Sequence, residues 1–164
     1  IASAVVRGLS SAYGPEEGPS ILLGPKGRGR WDALADELPG VAVAPTAQAV
    51  VDGSDIVVCA VLPQQVEPLL SSLDFSEDHT LVSLASTPTV AELSAAARMP
   101  KARVVRALPL PAVALRQGAT ALYPAEPRVV SLFAALGEAV PAASEAQLLT
   151  LASCTALLGQ LYHQ

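Results

Sequence analysis

The stretch LLGPKGRGR places three cations, Lys26, Arg28 and Arg30, among glycines, with Gly24 at its head and no acid inside it. Glycine lets a ligand approach the backbone, and the planar fork of arginine matches the oxygens of a phosphate. Phosphate recognition is the chemistry such a turn offers; a solvated, flexible Gly-rich loop is the plainer alternative. A second stretch, CAVLPQQV, sets Pro63 directly behind an apolar run. Proline stops a strand and leaves its end open to a ligand, or it makes an ordinary strand-to-helix turn. Other reactive types lack partners at useful spacing. His79 and His163 read as surface histidines without a metal-spaced neighbour, and Ser153 and Cys154 read as packing residues with no base nearby. Cys59 reads as a small core thiol, and Glu16, Glu17, Asp36 and Glu37 as solvated faces. No catalytic residue and no metal ligand is assigned.

Composition narrows the classes. The 164 residues are 51% hydrophobic, 4% aromatic and 15% charged, so the core of one ordinary domain is built from Ala, Val and Leu. The mean hydropathy of +0.44 leaves apolar surface for a partner. A formal charge of −5 without a long Lys/Arg cluster argues against nucleic acid. Two distant cysteines form neither a metal spacing nor a disulfide framework, which fits a reducing compartment. Residues 146 to 162 lack charge but fall short of a bilayer's ~20 residues, and they read as a buried interface helix. No leader is legible, so the cytoplasm is the expected compartment, with an organelle as the alternative should the natural chain start upstream.

The elements that position these residues alternate. IASAVVRGL is an amphipathic helix with no capping residue before it. SILLG is a short strand; a helix marked by Trp31, Leu34 and Leu38 ends at Pro39-Gly40. Strand VAVA and a short helix over 46–51 follow, then the buried strand SDIVVCAVLP, a helix over 66–73 and strand HTLVSLAS. Thr89 and Glu92 form a capping box that opens a helix to about Arg98. ARVVRAL and GATALY are strands around a proline-rich loop; a helix over 128–136, strand EAVP and a long helix opened by Ser144 and Gln147 complete the chain.

Short apolar strands alternating with helices imply an α/β fold: a Rossmann-like, doubly wound, mostly parallel sheet. Such a sheet starts with a strand and a tight glycine turn before its first helix, so the expectation is a sheet lacking its first strand, with an exposed edge and weak cofactor binding by this chain alone. The expected division is a dinucleotide-binding domain over 1–143 and the first helix of a helical dimerisation domain over 144–164. In such a sheet the second strand ends beside the adenosine ribose, where an acid favours NAD and a base accepts the 2′-phosphate of NADP. Lys26, Arg28 and Arg30 therefore point to NADP over NAD.

SDIVVCAVLPQQVEPLL, LVSLASTPTVAEL and RVVRALPLPAVALRQGATALYP follow in the order and spacing of the pyrroline-5-carboxylate reductases, which the chain resembles over nearly its whole length. The family's blocks read roughly Asp-Val-Val-Ile-Leu-Ala-Val-Lys-Pro, Ser-Ile-Ala-Ala-Gly-Val-Thr, and Arg-Val-Met-Pro-Asn-Thr-Pro-Ala with Gly-Ala-Thr-Ala-Leu-Tyr behind it. IASAVVRGL is similar to the helix after the family's glycine turn, which puts Ile1 and Ala2 at the cofactor. The resemblance implies an NADPH-dependent reductase that makes proline or a related imino acid from a cyclic imine, acting as a homodimer or higher homo-oligomer through its C-terminal helices. It implies that Ala60, Val61, Leu62, Pro63, Ala85, Ser86 and Thr87 line the cofactor and that Pro109 and Leu110 lie near the nicotinamide.

The departures are specific. Leu62 stands where the family has Lys, and Leu110 where it has Asn. The family's Ser-Gly-Ser-Gly-Pro-Ala segment, which holds the substrate carboxylate, falls on residues 153–158, so Ser153 and Thr155 are the implied substrate contacts while the glycines and proline are gone. Without glycine the same anion-binding turn does not form, and continuous helix is expected. Two functions remain: a reductase with this or an altered substrate, and a non-catalytic paralogue that keeps the fold as a nucleotide-binding or regulatory module. A prephenate or deazaflavin-linked enzyme of the same superfamily fits the GATALY spacing less well.

Overall fold

In the computed structural model, residues 1–13 and 18–161 are described, with the side chains of Arg28 and of residues 154–161 excepted. Among the described residues seven strands form two sheets. β1 (Ile21–Leu23) and β2 (Val41–Val43) pair in parallel; β3 (Ile56–Cys59), β4 (Thr80–Ser83), β5 (Val104–Pro109), β6 (Gly118–Tyr123) and β7 (Gly137–Pro141) make a second sheet in that order. β3, β4 and β5 are parallel, β6 runs against β5, and β7 is parallel to β6.

The central strands are covered on both faces, and side chains sort by alternation. Leu81 and Val104 face α4 (Pro63–Ser71) and α5 (Val90–Ala97), where Val66, Leu70, Leu93 and Ala97 pack. Val82 and Val105 face the opposite layer: Val5 and Leu9 of α1 (Ala2–Ala12), Val129 and Phe133 of α6 (Pro127–Ala134). The small sheet packs Leu23 and Val41 against Val6 of α1 and Leu34 of α2 (Arg28–Glu37). Arg7 and Glu37 tie those two helices, Nη2 donating to Oε2 at 2.8 Å. α3 (Ala47–Asp52) lays Val51 against Val57. Among the described residues neither β1 nor β3 has a strand partner on its other side. Ile21 and Ile56, at the starts of those two edge strands, both pack against the core beneath α1.

Local chemistry explains the boundaries. Thr89 Oγ1 accepts from the Glu92 N–H and Glu92 Oε2 accepts from the Thr89 N–H, the expected capping box. At α7 (Glu145–Leu161) the box is displaced: Ser144 Oγ accepts from the Gln147 N–H, but Gln147 reaches back to the N–H of Ala143. α1 starts at Ala2, with Ile1 as an N-cap residue that makes no side-chain cap bond.

Several expectations are corrected. The strand through residues 54–63 is shorter and less buried than its apolar run suggests, with Val58 38% exposed because β3 is an edge. Arg28 and Arg30 do not lie in a loop. Gly27 adopts φ +92° as the N-cap residue, which only glycine takes cheaply, and α2 begins at Arg28. Within this single chain Leu148 of α7 packs under Ala121 and Ala142, while Leu149 and Ser153 are exposed. Ser153 Oγ bonds the Leu149 carbonyl rather than filling a core. Glu37 is exposed, as expected of a solvated face, and also pairs with Arg7. Glu16, Glu17 and His163, and the side chains of Cys154 and Thr155, lie outside the described residues.

Candidate functional site

Parallel pairing of β3, β4 and β5 brings their carboxyl ends to one edge of the sheet. The register aligns Cys59 with Ser83 and Ser83 with Arg106, so the segments that leave β3 and β4 emerge side by side. Residues 60–63 follow β3, residues 84–89 follow β4, and β5 continues three residues beyond Arg106 to Pro109, with Leu110 directly after it. This edge is where open α/β sheets receive nucleotides. Ala60, Val61, Leu62, Pro63, Ala85, Ser86, Thr87, Pro109 and Leu110 thus lie on segments that leave this one edge. Ala60, Leu62, Pro63, Ser86 and Thr87 are exposed; Ala85 and Pro109 are buried beneath the rim. Gly24 and Lys26 follow β1, in the separate two-stranded sheet, and Ile1 and Ala2 open α1. Ser153 lies on the exposed side of α7 and joins none of these segments in a described contact.

The rim is polar through hydroxyls and backbone rather than through acids and bases. Ser83 Oγ accepts from the Ala85 N–H at 3.3 Å, shaping the turn that presents Ser86 and Thr87. Leu62, the N-cap residue of α4, is 59% exposed at the position where the family carries Lys. Cys59 lies buried below, and its thiol is pushed up by burial against a smaller opposing hydrogen bond from Val61, which disfavours the thiolate. His79 lies apart, before β4, where Nδ1 accepts from the Ser76 N–H at 2.9 Å. Residues 60–63, 84–89 and 109–110 carry no ionisable side chain.

The basic segment is better defined than a loose turn. Trp31 Nε1 donates to the Lys26 carbonyl at 2.6 Å and closes the entry to α2. The first turn of α2 holds no acid and no side-chain cap; the Arg30 N–H already bonds the Gly27 carbonyl at 3.0 Å, which leaves the N–H groups of residues 28 and 29 to meet an anion. Basic residues there oppose the helix dipole; a bound phosphate reverses that penalty, being attracted by the dipole and the cations together. Lys26 and Arg30 are exposed. The donor set fits the 2′-phosphate of NADP.

α1 and the rim are locked together at Gly8. A Cβ there would stand 2.3 Å from the carbonyl oxygen of Val113, in the 3-10 turn Pro111–Leu115 that follows Leu110. The close approach of α1 thus fixes the Leu110 segment.

Sequence reasoning passed over two residues, Arg106 and Glu145. Arg106 donates to Glu145 and to the Ser86 carbonyl from within β5. The signal was an arginine inside the apolar run ARVVRAL, at a position that alternation turns inward.

Residues 1–87 match the family model described as NADP oxidoreductase, coenzyme F420-dependent. No curated protein matches the chain. Among solved structures, 1-pyrroline-5-carboxylate reductase from Streptococcus pyogenes aligns with a TM-score of 0.70 at 17% identity, over 98% of this chain and 74% of that one. Pyrroline carboxylate reductase from Plasmodium falciparum with NADP bound aligns with a TM-score of 0.70 at 15% identity, over 98% and 61%. A reductive aminase from Aspergillus terreus, in complex with NADPH and ethyl levulinate, gives 0.69 at 17%, over 98% and 57%. At these identities the likeness is one of fold, and this chain spans 57% to 74% of the length of those three.

Proposed function

We propose, from the premise that the chain belongs to the family of NADP oxidoreductases described as coenzyme F420-dependent, that it is the nucleotide-binding part of an NADPH-dependent reductase acting on carbon–nitrogen double bonds, the reduction of a cyclic imine to proline or a related imino acid being the specific reaction. The observation that carries the cofactor half is the acid-free, uncapped first turn of α2 with Lys26 and Arg30 exposed around it. The substrate half is supported by the blocks RVVRALPLPAVALRQGATALYP, which lie beyond the matched residues, and by structural neighbours whose titles name pyrroline carboxylate reductases and a reductive aminase.

When bound, NADPH supplies the hydride. The chain's own part is placement. Lys26, Arg28 and Arg30 would hold the 2′-phosphate. Residues 60–63 and 85–87 would form the walls along the nucleotide, with Ser86 and Thr87 offering hydroxyls and backbone. Pro109 and Leu110 would pack near the nicotinamide and keep water from the reacting face. Residues 60–63, 84–89 and 109–110 carry no ionisable side chain, so the proton on nitrogen would arrive with the substrate, taken up from water as its iminium form.

The second reading, a nucleotide-binding module without turnover, is favoured by one feature: exposed Leu62, and Leu110, stand where the resembled family carries polar groups. NADPH oxidation with a five-membered cyclic imino acid, compared with oxidised F420 as acceptor, separates the readings. Turnover with the imine supports the proposal; turnover with F420 alone moves the substrate to the deazaflavin; binding without turnover supports the module. Exposed Leu149 on α7 belongs to the self-association face this reading requires, and sedimentation of the full-length protein at high concentration should show a dimer or larger.

A further inference from the structure

Arg106 is the largest fully buried side chain among the described residues, 1% exposed inside β5, and the reading above gives it no role. A guanidinium keeps its charge, and holding one out of water is costly unless its donors find acceptors. Nη1 donates to Glu145 Oε1 at 2.8 Å and Nη2 to the Ser86 carbonyl oxygen at 2.6 Å, while Nε stays without a partner. Glu145 Oε1 accepts a second bond, from the Val90 N–H at 2.9 Å. Glu145 is the first residue of α7 and Val90 the first of α5.

The consequence is geometric. The segment from β4 to α5 is gripped at Ser86 by Arg106 and at Val90 by Glu145, and the two grips share one ion pair. A buried ion pair is poor evidence for stability, because apolar residues of similar volume usually serve as well. An apolar side chain would release Ser86, and a lysine, with one compact ammonium, would not span both acceptors as the fork does. What the arginine adds is a fixed loop.

We propose that Arg106 and Glu145 are positioning residues that hold the segment over 84–89 in the shape that receives the nicotinamide nucleotide, so that nucleotide affinity depends on the docking of the first turn of α7. The proposal rests on the nucleotide-binding reading given above.

The test uses the full-length protein with Arg106→Lys and Glu145→Gln. Glutamine keeps the size and an accepting oxygen, so it carries the test if the lysine variant does not fold. Two measurements are made: amide hydrogen exchange over residues 84–92 without nucleotide, and NADPH affinity from energy transfer between Trp31 and the nicotinamide. Arg106→Lys should speed exchange at Ser86–Val90 and weaken NADPH binding by about tenfold each, the loss of one charge-assisted hydrogen bond. Glu145→Gln should shift both in the same direction by less, with exchange in α6 unchanged in either variant. Variants that bind NADPH like the wild type, or whose exchange over 84–92 is unchanged, overturn this proposal and leave the nucleotide-binding reading standing. A wild type that binds no NADPH overturns that reading, and this proposal with it.

Discussion

The indole Nε1 of Trp31 donates a 2.6 Å hydrogen bond to the carbonyl oxygen of Lys26, so the single tryptophan of the chain is fastened to the segment proposed to take the nucleotide phosphate. Trp31 emission should therefore be quenched by NADPH through energy transfer. Lys26→Ala and Arg30→Ala should each weaken NADPH binding by roughly tenfold while leaving NADH nearly unaffected, since a charge-assisted phosphate contact is lost only with the former. Equal losses for both nucleotides would show that these cations do not read the 2′-phosphate.

Gly8→Ala should destabilise the protein although alanine is the better helix former. The added methyl carbon would meet the Val113 carbonyl at 2.3 Å and Leu136 Cδ2 at 2.8 Å, so α1 must move away from the 3-10 turn. Overpacking of this kind costs about 1–3 kcal/mol, visible as a lower Tm in thermal unfolding. A variant as stable as the wild type would mean that α1 is not held at this distance.

Glu92 and Glu37 contribute to the loss of stability in acid. Hydrogen bonds from the Thr89 backbone and then its hydroxyl hold the Glu92 carboxyl below its ordinary value, and the bond from Arg7 does the same for Glu37. Both folded-state values lie below the unfolded one. The stability they contribute is therefore fully present above the ordinary carboxylate range and is lost as pH falls through the lowered values. The Tm of the wild type should exceed that of Glu92→Gln near neutrality, and the gap should close in acid. A gap independent of pH would exclude the charge on Glu92 as its source.

Cys59 should resist alkylation in the folded protein. Burial pushes its thiol up and keeps the thiolate scarce, so iodoacetamide should label this residue only when unfolding exposes it. Peptide mapping after native and denaturing treatment reads the difference; equal labelling would show that β3 opens readily at its unpaired edge.

Much of the fold was legible because alternation and capping are local. GATALY coincides with β6 to the residue, and the Thr89–Glu92 box opens α5 as its spacing requires. The failures came where tertiary context decides. Val58 sits in a run as apolar as a central strand, yet its burial depends on a neighbour beside β3, which no local pattern encodes. The start of α2 was missed because Gly27, read as a flexible turn residue, instead supplies the left-handed N-cap that lets the helix begin at Arg28. At the site, the segments after β3, β4 and β5 could be placed from their order alone, since parallel pairing brings their ends together. The Arg106–Glu145 link could not, because it joins residues 39 positions apart through side chains.

The measurement that bears most directly on the account is the nicotinamide absorbance of NADPH mixed with the full-length protein and a five-membered cyclic imino acid. The account predicts oxidation at ~1 per second or faster, the ordinary range for enzymes, with NADH a poorer donor. NADPH that binds and is never oxidised by this or any other imine would contradict a reductase acting on carbon–nitrogen double bonds and leave the nucleotide-binding module in its place.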